Sequence, residues 1–341
     1  MLRLGYHRPR IGSRRRWLPI AMLLAASGVL TSAAEQRLAI ALLDEATVAV
    51  FTQAGERVAS VRTGAGPRYL LVRGNTLFVA NRGVGDEPGS TLTQIDLDKL
   101  EPRRTVKVCD ACAPRAMAFD GAGHLWFTGQ AHRAVYRADA PAYDEPAGSV
   151  LVAWGWPTEV ARIGDTPLIV VGLRGSPLVS VIDTLEMRAS RVDVFPSPEL
   201  VVARPGSDEI WLGSMQHARV ARLNRGASTA TLDQQVFELD SPLGDLAFTP
   251  DGRWLLLTAV ESREMLAVNP KDGSIAARAQ LSAPPARVAI SGDGLTAAVS
   301  LPELSELVLV RLDEASGRAP GLSLGGSLAI EGSIGDLLWV P

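Results

Sequence analysis

The stretch Pro114-Arg-Ala-Met-Ala-Phe-Asp-Gly-Ala-Gly-His-Leu-Trp-Phe-Thr-Gly129 contains two short apolar runs on either side of a glycine-rich turn. Runs of this length, separated by Gly and Asp, predict a β-hairpin rather than a helix. The same order of proline, apolar run, glycine turn and second apolar run recurs along the chain. The prolines that begin the units are separated by 47, 43, 41, 44 and 43 residues, and they are Pro67, Pro114, Pro157, Pro198, Pro242 and Pro285. A period of about 40 to 45 residues with four strands per unit is typical of a β-propeller.

Six complete units leave two remainders at the ends of the sequence. Residues 332–340 have the pattern of one innermost strand, whereas residues 35–62 have the pattern of three strands, at 38–43, 47–52 and 57–61. One strand and three strands complete a further blade, and such closure removes open sheet edges. The sequence therefore predicts an all-β, seven-bladed β-propeller whose last blade is closed by one C-terminal and three N-terminal strands. An eight-bladed ring is the alternative.

The beginning of the sequence has the composition of an export signal. Seven basic residues and no acid occur in the first 16 positions, and an apolar run from Trp17 to Leu30 follows. The run is shorter than the roughly 20 residues that span a bilayer, and the small residues after it suit cleavage behind Ala34. We therefore expect a signal peptide at 1–34 and a single propeller domain at 35–341. Because three arginines precede Trp17, a twin-arginine signal and a general secretory signal both remain open.

The expected location of the mature protein is the periplasm or the outside of the cell, without a membrane anchor. A net charge of -3 gives no electrostatic reason to expect a nucleic-acid partner. The expected partner is a small anionic ligand or a periplasmic protein, and the expected oligomeric state is a monomer.

The repeats resemble those of YVTN-type bacterial propellers, which are close in character to NHL and quinoprotein-dehydrogenase-like rings. The stretch 114–129 is also similar to streptogramin-lyase repeats. The resemblance implies a fold shared by binding proteins, lactonases, lyases and redox subunits, so it does not transfer one function. Our leading interpretation is a non-catalytic protein that binds a ligand or a protein through its loop-rich channel face. The alternatives are an accessory or subunit of a periplasmic quinoprotein or haem redox system, and a lactonase-like or streptogramin-lyase-like enzyme.

In a propeller, the loops that lead into the innermost strands and those between the second and third strands line one face. The first set of loops carries Arg68, Arg115, Glu159, Glu199, Asp245, Arg287 and Asp336. The second set carries Asn81, Arg82, Asp86, Glu87, His132, Arg174, His217, Glu261, Arg263, Glu303 and Glu306. Many of these residues are expected to be solvated loop residues only.

Arg68 and Arg115 occupy matching positions in adjacent units, directly after the proline. The planar fork of arginine suits a carboxylate or a phosphate, so this pair predicts an anion clamp. Trp154 and Trp156 flank Gly155 in such a loop, where they either form an apolar wall for a ligand or pack between blades. The ligand-binding candidates are Arg68, Arg115, Glu159, Arg287, Trp154 and Trp156.

No motif requires a cofactor, but calcium is one hypothesis. Glu159, Asp245 and Asp336 have equivalent positions in their units, and their carboxylates offer oxygen ligands. A second hypothesis follows from the lyase resemblance, which casts His132, His217 and Glu261 as acid and base residues. The histidine and glutamate spacing of that family is not reproduced here.

Cys109 and Cys112 are separated by two residues. In an oxidising compartment two such cysteines form a small disulfide, here in the loop that leads into the second blade. Haem attachment would require a histidine directly after the second cysteine, where Ala113 stands. Zinc binding would require two further ligands. The favoured interpretation is a disulfide that fixes the loop.

Overall fold

The repeated units of the sequence form the blades of a closed ring. The computed structural model describes residues 36–152, 154–225, 232–313 and 320–341. Within these ranges the chain forms 28 β-strands in seven four-stranded antiparallel sheets. The seven-bladed fold is therefore confirmed, and the eight-bladed alternative is wrong. The proposed signal peptide, 1–34, lies outside the described residues.

The first three strands along the chain are β1 (Arg37–Leu42), β2 (Thr47–Phe51) and β3 (Arg57–Arg62). Blade 1 contains β4 (Pro67–Arg73), β5 (Thr76–Val84), β6 (Glu87–Asp96) and β7 (Glu101–Lys107). Blade 2 contains β8 (Pro114–Phe119), β9 (Leu125–Gly129), β10 (Ala134–Ala138) and β11 (Pro146–Leu151). Blade 3 contains β12 (Trp156–Arg162), β13 (Leu168–Arg174), β14 (Leu178–Asp183) and β15 (Arg188–Asp193).

Blade 4 contains β16 (Leu200–Ala203), β17 (Ile210–Gly213), β18 (Arg219–Arg225) and β19 (Leu232–Glu238). Blade 5 contains β20 (Leu243–Phe248), β21 (Leu255–Ala259), β22 (Glu264–Val268) and β23 (Ile275–Gln280). Blade 6 contains β24 (Val288–Ile290), β25 (Thr296–Leu301), β26 (Glu306–Asp313) and β27 (Gly321–Ala329). Blade 7 combines β28 (Ile334–Val340) with β1, β2 and β3.

Blade 7 joins the two ends of the described chain. β28 is its innermost strand and pairs antiparallel with β1, from Arg37 opposite Val340 to Leu42 opposite Ile334. The Arg37 Nε donates a hydrogen bond of 3.0 Å to the carbonyl oxygen of Pro341. The predicted closure by one C-terminal and three N-terminal strands is confirmed.

The hydrophobic core consists of seven clusters of buried side chains, one at each seam between neighbouring blades. Trp126 of blade 2 packs with Ile169 of blade 3, and Trp211 of blade 4 packs with Leu257 of blade 5. Both tryptophans are fully buried. Because each sheet is covered on both faces, its middle strands are continuous apolar runs instead of alternating ones. This explains why stretches such as β21 are apolar throughout.

The innermost strands β28, β4, β8, β12, β16, β20 and β24 contact one another in a ring around the central channel. Pro67 and Pro114 begin β4 and β8, where the missing N–H of proline costs no ladder hydrogen bond. One short 3-10 turn, Pro302–Leu304, is the helical element of the described residues. The described chain contains no helix of the length and apolar character that a bilayer span requires.

Candidate functional site

A charged residue lies at the start of the innermost strand in each of the seven blades. In ring order these residues are Arg68, Arg115, Glu159, Glu199, Asp245, Arg287 and Asp336. Six of them are buried, and Arg68 is half-buried. The sequence prediction that these residues share one face of the ring therefore agrees with the structure. We call this set the inner ring.

Irregular strand pairing positions several of these side chains. In blades 1, 2, 3, 5 and 7, the register between the innermost strand and its neighbour shifts beside the charged residue. A β-bulge at such a place re-aims a side chain that regular pleating would point elsewhere. In blades 5 and 7 the preceding residue is glycine, Gly244 and Gly335. A Cβ at Gly244 would lie 2.6 Å from the Ala286 carbonyl oxygen, so glycine allows the next blade to approach closely.

Three carboxylates of the inner ring join neighbouring blades. Each accepts a hydrogen bond from a backbone N–H in the innermost strand of the next blade. The pairs are Glu159 with Val201 at 3.0 Å, Asp245 with Val288 at 3.1 Å, and Asp336 with Leu70 at 2.8 Å. These bonds cross the seams between blades 3 and 4, 5 and 6, and 7 and 1, so the acids have a structural role whatever else they do.

Arg287 lies among the same three acids. Its Nη1 is 3.4 Å from the Glu159 Oε1 and 3.7 Å from the Asp245 Oδ2. Burial by itself would lower the pKa of Arg287, but the charges of Asp245, Asp336 and Glu159 outweigh burial and raise that pKa above its ordinary value. Burial raises the pKa of Asp245 to about 7 against the opposing charge of Arg287, and burial raises the pKa of Asp336 to about 6.

The calcium hypothesis assigned Glu159, Asp245 and Asp336 to one metal ion. The structure does bring these acids into one electrostatic cluster, but the guanidinium of Arg287 lies between the carboxylates of Glu159 and Asp245. Within the described ranges, no group of three or more His, Cys, Asp or Glu side chains has an arrangement suited to a metal ion. The geometry therefore gives the calcium hypothesis no support.

Arg68 and Arg115 are the inner-ring arginines without an ion pair among the described residues. Burial, followed by the charges of Arg287 and Arg115, lowers the pKa of Arg68 to about 9. Burial, followed by the charge of Arg287, lowers the pKa of Arg115 to about 10. The Nε of Arg68 is buried and has no hydrogen-bond partner in the described chain. Many of the channel-face residues are expected to be solvated in loops, but Arg115 is 8% exposed and lies within β8.

The neighbouring acids Glu159 and Glu199 offset the charges of Arg68 and Arg115 only in part. Glu159 favours the charged form of Arg115 electrostatically. Glu199 instead accepts hydrogen bonds of 2.9 Å from the Met215 backbone N–H and of 2.9 Å from the Gln216 side chain. The positive charge at the mouth of the channel is therefore only partly neutralised.

Two arginines from the second strands of blades 1 and 3, Arg82 of β5 and Arg174 of β13, join Arg68 and Arg115 at this mouth. A pocket of about 350 Å³, which we call the arginine pocket, is lined by Arg68, Arg82, Arg115 and Arg174, and its one acidic lining residue is Asp44. The sequence pattern predicted channel-face loops for Arg82 and Arg174 and gave them no role; the loop assignment is wrong, since Arg82 lies within β5 and Arg174 ends β13. Their convergence depends on contacts between blades, which a single sequence does not display.

A second pocket of about 300 Å³ adjoins the arginine pocket, because both are lined by Arg82 and Arg174. Trp156 forms part of its wall and is 42% exposed, whereas Trp154 is half-buried against the cluster between blades 2 and 3. Each tryptophan therefore follows a different one of the two predicted alternatives: Trp156 lines a pocket, and Trp154 packs between blades. We call this second cavity the tryptophan pocket.

The disulfide between Cys109 and Cys112 is confirmed. Its loop borders the tryptophan pocket, since the Cys112 carbonyl accepts a hydrogen bond of 3.0 Å from Ala131, one of the lining residues. The neighbouring Gln130 accepts a hydrogen bond of 3.2 Å from the Arg82 Nε. The disulfide loop is therefore connected to Arg82 through the adjacent residues Gln130 and Ala131.

The lyase hypothesis grouped His132, His217 and Glu261. His132 forms a hydrogen bond of 2.6 Å with the Tyr136 hydroxyl. The backbone N–H groups of His217 and Glu261 donate to serines in their own blades, and all three side chains are exposed. No contact among the described residues joins the three, so the geometry gives this hypothesis no support.

Comparisons with known proteins add the following. No family model matches the sequence, and no curated protein has a recognisably similar sequence. The structure is similar to a periplasmic gluconolactonase from Pseudomonas aeruginosa, with a TM-score of 0.73 and 19% identity over 90% of this chain and 99% of that one. A putative 6-phosphogluconolactonase from Bacteroides uniformis gives a TM-score of 0.74 and 14% identity over 90% of this chain and 100% of that one. Kuenenia stuttgartiensis hydrazine synthase gives a TM-score of 0.65 and 16% identity over 80% of this chain and 89% of that one. At these identities, the likeness shows that the chain shares the propeller fold of these proteins.

Proposed function

We propose that the arginine pocket binds a small anionic ligand and that this ligand is a phosphorylated sugar-acid lactone, which the site hydrolyses. The observation that carries the proposal is the convergence of Arg68, Arg82, Arg115 and Arg174 on one pocket of about 350 Å³. Arginine forks are suited to carboxylate and phosphate groups. None of the four arginines has an ion pair within the described chain, so an anion would supply the missing negative charge.

The charge of the pocket lining supports the anionic nature of the ligand. The inner ring itself contains three arginines and four acids, but the acids are engaged by hydrogen bonds from backbone groups and from Gln216. Arg82 and Arg174 then add positive charge at the mouth, where Asp44 is the acid in the pocket lining. Charge of one sign in a cleft with low-dielectric walls raises the local concentration of ligands of opposite charge.

The lactone assignment rests on two supports. Two of the similar structures are described as gluconolactonases or 6-phosphogluconolactonases, and such proteins act on sugar-acid lactones. The lining of the arginine pocket also contains a guanidinium and a carboxylate, those of Arg68 and Asp44. A positioned carboxylate can act as a general base toward water.

In the proposed reaction, water adds to the lactone carbonyl carbon while the Asp44 carboxylate accepts a proton from that water. The Arg68 guanidinium donates to the carbonyl oxygen as negative charge develops there. The bond between the carbonyl carbon and the ring oxygen then breaks, and the ring oxygen takes the proton back from Asp44. The product is the open-chain hydroxy acid, with no other reactant consumed.

A non-catalytic anion-binding protein is the second candidate. It is favoured by the hydrogen bonds that Glu159, Asp245 and Asp336 accept from neighbouring blades, because these bonds engage the acids structurally. The redox-accessory alternative has only the likeness to hydrazine synthase in its favour. Both cysteines of the chain are used in the disulfide.

We also propose that the protein is exported. Residues 1–34 have the composition of a signal peptide. Disulfides persist mainly in oxidising compartments such as the periplasm, and this chain forms one. One of the similar structures is a periplasmic protein.

The test of the proposed function is hydrolysis of δ-gluconolactone and of 6-phosphogluconolactone, followed by acid release at constant pH. We expect turnover of the anionic 6-phosphogluconolactone above the spontaneous rate, with kcat/KM lowered about 100-fold or more in the Arg68→Met/Arg115→Met variant. The uncharged δ-gluconolactone serves as the comparison substrate. Arg188→Met is the matched control, since this exposed arginine lies at the opposite end of blade 3 from Arg174. Phosphate binding without turnover of either lactone would select the non-catalytic candidate. Failure of wild type to bind phosphate and to hydrolyse either lactone would overturn the proposal.

A further inference from the structure

Trp156 is a large aromatic residue with an unusual degree of exposure, 42%. Its ring is nevertheless held in position. The guanidinium of Arg133 lies 4.6 Å from the ring centroid, and a Cβ on Gly175 would come within 3.1 Å of the ring, so the glycine backbone lies directly against it. Trp156 also pairs with Arg174 across β12 and β13. A fixed and partly exposed aromatic ring is a feature of ligand pockets.

The remainder of the tryptophan pocket is polar. Its side-chain lining includes the Gln130 amide, the Asp86 carboxylate and the guanidinium groups of Arg82 and Arg174. The pocket thus combines one flat apolar surface with hydrogen-bond donors and acceptors around it. Because Arg82 and Arg174 also line the arginine pocket, a single ligand can extend from one pocket into the other.

We infer that the tryptophan pocket is a sugar-ring subsite, in which Trp156 packs against the C–H face of a ring whose anionic group is bound in the arginine pocket. A sugar ring has an apolar C–H face and hydroxyl groups at its edge, which matches an aromatic surface bordered by an amide, a carboxylate and guanidinium groups. The Asp86 carboxylate favours a sugar ring over a second anionic group in this pocket, because a carboxylate accepts hydrogen bonds from hydroxyl groups but repels phosphate. The inference rests on the proposed function for the position of the anionic group.

The test is calorimetric titration with three probes: inorganic phosphate, glucose 6-phosphate and adenosine monophosphate. The proteins are wild type, Trp156→Ala, Trp156→Phe and Leu185→Ala. Leu185 is a matched control, since it is 75% exposed in the same blade but follows the far end of β14. We expect wild type to bind glucose 6-phosphate more tightly than phosphate. Trp156→Ala should weaken glucose 6-phosphate binding about three- to ten-fold and leave phosphate binding unchanged. Trp156→Phe should retain most of the affinity, and Leu185→Ala all of it.

The outcomes separate the subsite from the proposed function. If wild type binds phosphate but gains nothing from the sugar ring, or if Trp156→Ala weakens both probes equally, the subsite is rejected and the arginine pocket stands. If Trp156 strengthens binding of adenosine monophosphate but not of glucose 6-phosphate, the assignment to a sugar ring is rejected. If wild type binds neither phosphate nor glucose 6-phosphate, both the proposed function and the subsite are rejected.

Discussion

The Asp336 carboxylate accepts a hydrogen bond of 2.8 Å from the Leu70 backbone N–H, across the seam between blade 7 and blade 1. This bond links the last strand of the chain to the first complete blade. It depends on Gly335, because a side chain there would collide with the Pro67 carbonyl oxygen and hold the blades apart. The polar link and the close approach of the backbones are therefore two parts of one arrangement.

Replacement of Gly335 by alanine is expected to lower the free energy of unfolding by about 1 to 3 kcal/mol, the usual cost of overpacking a tight contact. Gly326→Ala is the matched control. Its added Cβ would have no neighbour within 4 Å, so its effect should stay within about 0.5 kcal/mol. Urea denaturation of both variants measures the difference. Equal stability of the two variants would show that the seam does not require glycine.

Asp245 is expected to make stability depend on pH. Its pKa of about 7 in the folded protein lies above about 3.9 in the unfolded chain. The folded protein therefore binds more protons between these values. The contribution of the Asp245 carboxyl group to the free energy of unfolding is therefore fully present below about pH 4, and it is lost as the pH rises to about 7.

From pH 5 to pH 8, wild type should lose on the order of 2 kcal/mol more stability than Asp245→Asn. Asp193→Asn, at an exposed position, should follow wild type at both pH values. Denaturation curves at the two pH values provide the measurement. A pH dependence that survives in Asp245→Asn would assign the effect to other groups, with Asp336 first among them.

Arg68 is expected to reduce stability when the arginine pocket is empty and to increase it when an anion is bound. Burial and the charges of Arg287 and Arg115 disfavour its charged form, as its lowered pKa shows. Without phosphate, Arg68→Met should melt at the same temperature as wild type or higher. With phosphate, wild type should gain melting temperature and the variant should gain little. Parallel shifts of both proteins would contradict an anion site at Arg68.

The disulfide is expected to order its surroundings more than it stabilises the whole protein. The loop between Cys109 and Cys112 is far shorter than a 15-residue loop, for which a disulfide contributes about 3 kcal/mol, so its contribution should be smaller. Cys109→Ser/Cys112→Ser should show faster hydrogen exchange at Ala131, whose N–H donates to the Cys112 carbonyl. Two reactive thiols in unreduced, denatured wild type would rule the disulfide out in the isolated protein.

Deletion of residues 332–341 is expected to destabilise the entire ring. It removes β28, which pairs with β1 and contacts the innermost strands of blades 6 and 1. The truncated protein should lose its cooperative thermal transition. A version extended by a short tag after Pro341 serves as control and should melt like the intact protein. The same melting behaviour after truncation would mean that blade 7 does not close the ring.

The fold could be predicted from local signals. Prolines at strand starts, glycine turns and apolar runs depend on backbone geometry within a few residues, and their even spacing indicates a repeat. The division of blade 7 between the two ends followed from counting strands. The boundaries were also close: the strand expected at 57–61 is Arg57–Arg62 in the structure.

The site was predictable only in part, because it depends on distances between blades. Matching positions in the repeat identified the inner ring, including Arg68 and Arg115. They did not show that Asp336 would bind the Leu70 backbone, or that Trp156 would be exposed and Trp154 packed between blades. Arg82 and Arg174 had no distinguishing pattern at all, since a charged residue near the end of a strand has the same sequence appearance whether it faces a pocket or bulk water.

The pairing of β1 with β28 also sets an order of events during synthesis. β1 is among the first described strands to leave the ribosome, yet its second partner is made about 300 residues later, roughly 15 to 60 seconds afterwards at ordinary translation rates. Throughout that interval one edge of β1 has no native partner and is open to non-native pairing. Individual blades can form as they emerge, but the circle is completed only after translation of the final strand. The extent to which the nascent protein needs chaperones should therefore depend on how long this open, nearly complete ring persists.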